Sequence, residues 1–99
     1  MKLAWTPQAL ADRRAIYDYV EADHPRAALA LDQLMTKKAD RLINHPMMGR
    51  PGRVENTREL VVHRSYILVY DIAGDTVRVL RVLHTARQWP PAGGAGEGL

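Results

Sequence analysis

The sequence predicts an α+β domain in which a short N-terminal strand and an antiparallel helical hairpin pack on one face of a small antiparallel β-sheet. Apolar residues recur at helical spacing up to about Asn44, and from Thr57 onward they follow the alternation typical of strands. Gly74-Asp75 lies between two strand-like segments and indicates a two-residue hairpin turn of type II′. The 99 residues are expected to form one domain over residues 1–90 and a disordered tail, rich in Gly, Pro and Ala, over residues 91–99.

The first helix follows a short apolar stretch, Lys2 to Trp5. Thr6 is a favoured N-cap residue, and Pro7 suits the first helical position. Arg13 falls in the middle of the predicted apolar face. We favour an arrangement in which its aliphatic part packs and its guanidinium reaches solvent, the alternative being an ion pair with a buried acid. The apolar face consists of Ala9, Leu10, Ile16, Tyr17 and Val20.

A second helix is predicted from Pro25 to about Asn44, because Asp23-His24-Pro25 interrupts the first pattern and proline again opens a helix. Two helices joined by so short a break form an antiparallel hairpin. His45-Pro46 ends the second helix, and residues 45–56 have the composition of a loop.

Three strands are predicted after this loop, and two turns fix how they pair. The strands are Thr57–His63, Tyr66–Ile72 and Thr76–His84. The turn at Gly74-Asp75 sets Ile72 opposite Val77, Asp71 opposite Arg78 and Leu68 opposite Arg81. A second turn at Arg64-Ser65 sets Val62 opposite Ile67 and Arg58 opposite Asp71, which gives an Arg58–Asp71–Arg78 row of charges.

This register sorts the side chains onto two faces of the sheet. The face that the helices should cover is apolar, and the other face mixes aromatic, acidic and basic groups, as a half-open functional surface would. The covered face holds Leu60, Val62, Ile67, Val69, Leu80 and Val82, and the open face holds Glu59, Val61, His63, Tyr66, Leu68, Tyr70, Val79, Arg81 and Leu83.

Composition excludes several classes of protein. The chain has no cysteine, which removes disulfides, thiol nucleophiles and thiolate metal sites. No signal peptide or membrane-spanning run is apparent, so a cytoplasmic protein without membrane contact is expected. The net charge of +3 permits a polyanionic partner without requiring one. Every Lys or Arg after Lys38 is an arginine. The planar guanidinium group can donate two parallel hydrogen bonds, which suits contacts with carboxylates, phosphates and protein surfaces.

A few polar side chains on the predicted sheet could carry chemistry. The four histidines lack metal-ligand spacing, and neither a metal nor a cofactor is expected. Arginine and histidine together could bind phosphate and move protons, as metal-free RNA cleavage requires. In a purely structural alternative, Glu59 pairs diagonally with Arg81, His84 caps its strand, and Tyr66 and Tyr70 are half-buried. The candidate chemical set is His63, Arg81, His84 and Arg87, with Glu59 or the tyrosines nearby.

A run of short motifs resembles the RelE/ParE superfamily of toxins from residue 2 to residue 90. No single motif is specific, but their order and spacing are. Arg13 stands where a leucine is expected, a departure that affects the packing of the first helix. The motifs are Trp5-Thr6-Pro7, Ala9 to Asp12, Ile16, Tyr19-Val20, Pro25-Arg26-Ala27-Ala28, Pro46, Gly49-Arg50-Pro51-Gly52, Thr57-Arg58-Glu59-Leu60-Val61-Val62, Tyr66 with Tyr70, Leu80-Arg81-Val82-Leu83-His84, and Arg87 with Trp89.

The resemblance implies the toxin of a type II toxin–antitoxin pair, which arrests growth unless a small, partly disordered antitoxin binds it in a hetero-oligomer. In the ParE-like branch, which the helical hairpin and the Arg-Val-Leu-His ending favour, the toxin poisons DNA gyrase by protein contact. In the RelE-like branch it cleaves mRNA on the ribosome, and Arg81, His84 and Arg87 would be catalytic. A bare DNA-binding module is a third and weaker alternative, because neither helix has a basic recognition face. The expected target- or antitoxin-binding residues are Glu59, His63, Arg64, Tyr66, Tyr70 and Trp89.

Overall fold

A computed structural model describes residues 1–86, in which two helices pack on one face of a five-stranded sheet. The strand order in the sheet is β1-β5-β4-β3-β2. This arrangement confirms the predicted α+β class and the helical hairpin. The elements along the chain are β1 (Lys2–Trp5), α1 (Pro7–Glu21), α2 (Pro25–Arg41), β2 (Arg50–Pro51), β3 (Arg58–His63), β4 (Tyr66–Ala73) and β5 (Thr76–His84).

The sheet is mixed rather than wholly antiparallel, because β1 runs parallel to β5. The helical hairpin carries the chain from β1 to the far edge of the sheet, and three antiparallel strands then return to it. Leu3 pairs with Val77 and Trp5 with Val79, and all four side chains belong to the core or pack against it. The local sequence pattern predicted the short first strand and the antiparallel strands but no partner for the first strand, and the structure shows that this partner is β5.

Both helices begin where the sequence predicts. The Thr6 hydroxyl accepts a hydrogen bond of 3.1 Å from the Ala9 amide, as an N-cap side chain does. α2 ends at Arg41 rather than at about Asn44. The amides of Leu42 and Ile43 bond to carbonyls three residues back, so the last turn tightens and the helix stops.

Two irregularities in the strand pairing overturn part of the predicted register. The pairs nearest the β4–β5 turn are confirmed, and Gly74 adopts a φ of 61° that suits a type II′ turn. A shift between Val69 and Tyr70 then places Leu68 opposite Val82 instead of Arg81. A second shift near the β3–β4 turn places Val61 opposite Ile67, and Arg58 opposite Tyr70 instead of Asp71. Beyond each shift of one residue, the side chains of one strand lie on the opposite face of the sheet from the one that the predicted pairing gives them.

The faces of the sheet therefore differ from the predicted ones. Leu68, Tyr70 and Val79, which were expected on the open face, lie in the main core beneath the helices. Ile67 and Val69 were expected under the helices but form a second buried cluster with Leu83. The main core consists of Ala9, Met35, Ala39, Leu42, Leu60, Val62, Leu68, Tyr70, Val77, Val79 and Val82.

The segment over residues 45–56 is more structured than the expected loop. Arg50 and Pro51 form the edge strand β2, with Arg50 paired to Glu59. The Arg58 guanidinium donates a hydrogen bond of 2.6 Å to the Gly49 carbonyl. Arg58 therefore stabilises this segment and does not form the pair with Asp71 that the predicted row of charges required. The other half of that row is confirmed, since Arg78 Nε lies 2.8 Å from an Asp71 carboxylate oxygen.

Arg13 forms an ion pair instead of reaching solvent as we expected, although its acidic partner Asp32 is partly exposed rather than buried. Its Nε donates to the Asp32 carboxylate at 3.1 Å, and its Nη2 donates to the Thr36 hydroxyl at 2.9 Å. The guanidinium also lies 4.4 Å from the centre of the Trp5 ring, a cation–π distance. Its side chain is only 15% exposed, so Arg13 joins α1, α2 and β1 instead of reaching solvent.

Candidate functional site

A groove of about 610 Å³ lies between α1 and the neighbouring ends of β4 and β5. Its helix side carries an acidic, an aromatic and two apolar side chains, and its sheet side carries a tyrosine–histidine pair. A concave surface that combines apolar walls with a few polar groups is the usual form of a binding site. The lining residues are Asp12, Ala15, Ile16, Tyr19, Tyr66, Val82, His84 and Ala86.

His84 and Tyr66 face each other across the sheet side of the groove. Their ring centres are 5.2 Å apart and their planes meet at 81°, an edge-to-face contact. The Ala86 amide donates a hydrogen bond of 3.0 Å to His84 Nδ1. An accepting Nδ1 carries no proton, so the neutral His84 ring holds its proton on Nε2.

His63 and Arg64 lie close to this pair, because the β3–β4 turn is bonded to the end of β5. The Thr85 amide donates to the Ser65 carbonyl at 2.8 Å, and the Thr85 hydroxyl donates to the Arg64 carbonyl at 3.2 Å. His63 Nδ1 accepts a bond of 3.2 Å from the Ser65 amide. Of the predicted site residues, the fold therefore gathers His63, Arg64, Tyr66 and His84 at one end of the sheet.

Arg81 is held by a carboxylate that the sequence analysis did not assign to the site. Its Nε and Nη2 donate to the two Asp12 oxygens at 2.8 and 3.2 Å, and the Val82 amide donates to Asp12 at 2.9 Å. Asp12 follows Ala9 by three residues and precedes Ile16 by four, so the helical wheel places it on the buried face. An acidic residue on the buried face of α1 indicates a positively charged partner on the sheet, and the sequence could have predicted this pair on that ground.

The pKa of Asp12 lies below its ordinary value of 3.8. Burial raises the pKa, but the hydrogen bonds from Arg81, Val82 and Gln8, with the positive charge of Arg81, lower it further than burial raises it. The ionised carboxylate is therefore the form that the folded protein stabilises.

This shift predicts how stability depends on pH. Because the folded pKa is depressed, the contribution of Asp12 is fully present above pH 3.8 and is lost as the pH falls through the folded value. We expect the free energy of unfolding to decline more steeply between about pH 5 and about pH 3 in the wild type than in Asp12→Asn. Urea unfolding at a series of pH values measures both slopes, and equal slopes would contradict this assignment.

Glu59 and Tyr70, predicted on the open face, lie inside the fold. Glu59 is 2% exposed and accepts hydrogen bonds of 3.2 Å from the Arg50 guanidinium and from the Arg53 amide. Tyr70 is fully buried, and burial raises the pKa of its phenol despite the Gly49 amide and the charge of Arg58. Both side chains anchor the segment that contains β2. The structural alternative assumed that Glu59 pairs with Arg81. The structure shows instead that Glu59 pairs with Arg50 and Arg53.

Some predicted features fall beyond residues 1–86. Arg87 and Trp89 lie outside the described residues, as does the expected tail over residues 91–99. Among residues 1–86, no group of three or more His, Asp or Glu side chains could hold a metal ion. In the same part of the chain, neither helix is long and apolar enough to cross a bilayer.

Comparison with known proteins identifies the class of this fold and site. Residues 3–89 match the family model described as the ParE toxin of the type II toxin–antitoxin system parDE. The chain belongs to this family and is a toxin of the type II toxin–antitoxin class. The resemblance drawn from the sequence motifs is thereby confirmed at the level of the RelE/ParE superfamily.

Individual relatives agree with this membership. Y4kP of Sinorhizobium fredii is 40% identical over 90% of this chain and 93% of its own length. Toxin RelE2 of Caulobacter vibrioides is 37% identical over 87% of this chain and 97% of its own length. A chain from the chromosomal ParDE system of P. aeruginosa superposes with a TM-score of 0.77 and 30% identity, covering 85% of this chain and 95% of that one. The relatives carry names from both branches of the superfamily.

Proposed function

We propose that this toxin arrests growth by poisoning DNA gyrase through protein–protein contact and that it makes or breaks no covalent bond itself. The contact surface would include the groove lined by Tyr66 and His84 and the β3–β4 turn beside it, which carries His63 and Arg64. A cytoplasmic location follows from such a target.

The observation that carries this proposal is the ion pair between Arg81 and Asp12. A metal-free ribonuclease needs a cation that neutralises the scissile phosphate in the transition state. Arg81 was the candidate for that role within the described residues, and both its Nε and Nη2 already bond to a carboxylate. A phosphate would have to compete with Asp12 for the same guanidinium, which favours a binding function over phosphate chemistry.

A cognate antitoxin is the second part of the proposal. Membership in a family of toxin–antitoxin toxins implies a small partner protein, and the ParDE system of P. aeruginosa contains a structural relative of this chain. We expect the antitoxin to be encoded by an adjacent reading frame, to be partly disordered alone, and to fold on the toxin in a hetero-oligomer.

Controlled expression in bacteria tests the proposed target. We expect growth arrest that is relieved by co-expression of the adjacent reading frame, with double-strand DNA breaks that depend on active gyrase and with intact mRNA. Primer extension on cellular mRNA and gel analysis of chromosomal DNA measure the two outcomes. Arrest accompanied by mRNA cut on the ribosome, without DNA breaks, would reject the gyrase proposal.

A ribosome-dependent mRNA endonuclease is the alternative function, and the His84–Tyr66 pair is the observation that favours it. The Nε2 proton and the phenol are the kinds of group that move protons in metal-free RNA cleavage. In that case Arg87 would be the remaining candidate to neutralise the phosphate. The alternative predicts that His84→Gln slows mRNA cleavage by a factor of about 10² to 10⁴, whereas gyrase poisoning needs no such group.

A further inference from the structure

Two methionines are displayed to solvent in the segment that follows α2. Met47 is 62% exposed and Met48 is 38% exposed. They line a shallow groove of about 490 Å³ with Arg41, His45 and Pro46, and we call these five residues the Met47–Met48 groove. Exposed methionines are adaptable apolar contacts and are common where one protein binds another.

The backbone beneath these methionines is fixed by side chains from the sheet. The Tyr70 hydroxyl donates to the Pro46 carbonyl at 2.7 Å and accepts from the Gly49 amide at 2.9 Å. Arg58 donates to the Gly49 carbonyl at 2.6 Å. A Cβ on Gly49 would lie 2.8 Å from the Tyr70 ring, so glycine is required for this close approach. These bonds hold the backbone on either side of Met47 and Met48 before any partner arrives, which reduces the entropy cost of ordering the segment on binding.

Charge is concentrated in the same part of the chain. Residues 37–59 contain six Lys and Arg against three Asp and Glu, a difference of +3 that equals the net charge of the whole chain. Arg50 and Arg53 lie beside Glu59, so Arg41 is the cation of this set that lines the groove. Arg41 and His45 border the methionines directly. A partner that fits this surface presents apolar side chains flanked by carboxylates.

We propose that the Met47–Met48 groove binds a segment of the antitoxin in which an apolar side chain is flanked by acidic residues. This proposal rests on the toxin–antitoxin pairing proposed above and adds the location and the chemistry of one contact. A preformed groove of this size accepts one or two side chains from a single segment, as when a disordered chain folds on its partner. A large folded target would need a broader surface.

Affinity measurements on purified toxin and the protein encoded by the adjacent reading frame test this proposal. We expect the double variant Met47→Ser/Met48→Ser to bind about tenfold or more weakly, because it removes the apolar anchor. Arg41→Gln should weaken binding about threefold and reduce its dependence on salt. Leu29→Ser, at a side chain that is 50% exposed on α2, is the matched control and should bind like the wild type. Thermal unfolding confirms that each variant is folded.

The outcomes separate this proposal from the proposed function. If the wild-type toxin binds the antitoxin and the double variant binds equally well, the groove assignment is wrong and the pairing stands. If the double variant keeps its antitoxin affinity but no longer arrests growth, the groove serves the cellular target, which also overturns the assignment. If the wild-type proteins form no complex, the pairing itself fails, and the groove assignment fails with it.

Discussion

Asp12→Ala is expected to lower the free energy of unfolding by about 3 kcal/mol, the low end of the range for breaking a buried ion pair. The substitution leaves the Arg81 guanidinium and the Val82 amide without the carboxylate that they share. The Asp12 side chain is 12% exposed and that of Arg81 is 27% exposed, so water replaces these bonds only in part. The pair joins α1 to β5, and the groove lined by Tyr66 and His84 lies between these elements. We therefore expect the walls of this groove to move apart in the variant. Urea unfolding at neutral pH measures the change.

Asp18→Ala on the same helix is the matched control. Asp18 is 63% exposed in its side chain and lies 3.9 Å from an Arg14 side chain that is 82% exposed. Exposed pairs of this kind contribute about 0.5 kcal/mol or less. Equal losses in the two variants would mean that the Asp12–Arg81 pair does not fasten α1 to the sheet.

Tyr70→Phe is expected to lower the free energy of unfolding by about 2 kcal/mol, because buried groups lose their hydrogen-bond partner. The Gly49 amide and the Pro46 carbonyl both bond to this hydroxyl. The ring itself stays in the core, so packing is unchanged. We also expect faster amide hydrogen exchange at Gly49, since the segment that displays Met47 and Met48 is then held less firmly.

Tyr19→Phe is the same chemical change at a side chain that is 78% exposed. It should alter the free energy of unfolding by less than about 0.5 kcal/mol. A Tyr70→Phe protein as stable as Tyr19→Phe, with unchanged exchange at Gly49, would show that the hydroxyl does not anchor this segment.

The sequence was sufficient to predict both helices and four of the five strands because their signals are local. Thr6 with Pro7 and His24 with Pro25 mark where the helices begin, and the Gly74 turn fixes the nearest pairs of β4 and β5. The parallel pairing of β1 with β5 joins residues far apart in the chain, and no local pattern specifies it. The edge strand β2 is two residues long and includes a proline, so its composition is that of a loop.

The faces of the sheet could not be predicted because two shifts in register leave no sequence signal of their own. The predicted register set Tyr70 opposite Glu59 on the open face, whereas the observed pairing of Leu60 with Leu68 places Leu68 and Tyr70 on the core face. The second shift lies in β5 between Val79 and Arg81, so that Val79 and Val82 both face the core. The same limit applies to Glu59, whose partners lie in a segment that was predicted as loop. Asp12 and Arg13, two charged side chains on a buried helix face, both have partners on other elements, but Asp12 was assigned no partner from the sequence and Arg13 was expected to reach solvent.

The candidate site was predicted in part, since four of its residues share one turn and the strands beside it. His63, Arg64 and Tyr66 are close in sequence, whereas His84 lies opposite Tyr66 because of the register shift between Val69 and Tyr70. Asp12 and Tyr19 reach the groove from α1, and their position depends on how the helix crosses the sheet. That crossing is set by the core as a whole rather than by any motif.

The proposed target is tested most directly by incubating the purified toxin with DNA gyrase, ATP and supercoiled plasmid. If the toxin poisons gyrase by contact, linear plasmid should accumulate after protein denaturation, only when gyrase is present and in proportion to the toxin. The adjacent reading frame's product should suppress this cleavage. Unbroken plasmid at every toxin concentration, together with mRNA cut when the same preparation is added to translating ribosomes, would contradict the account.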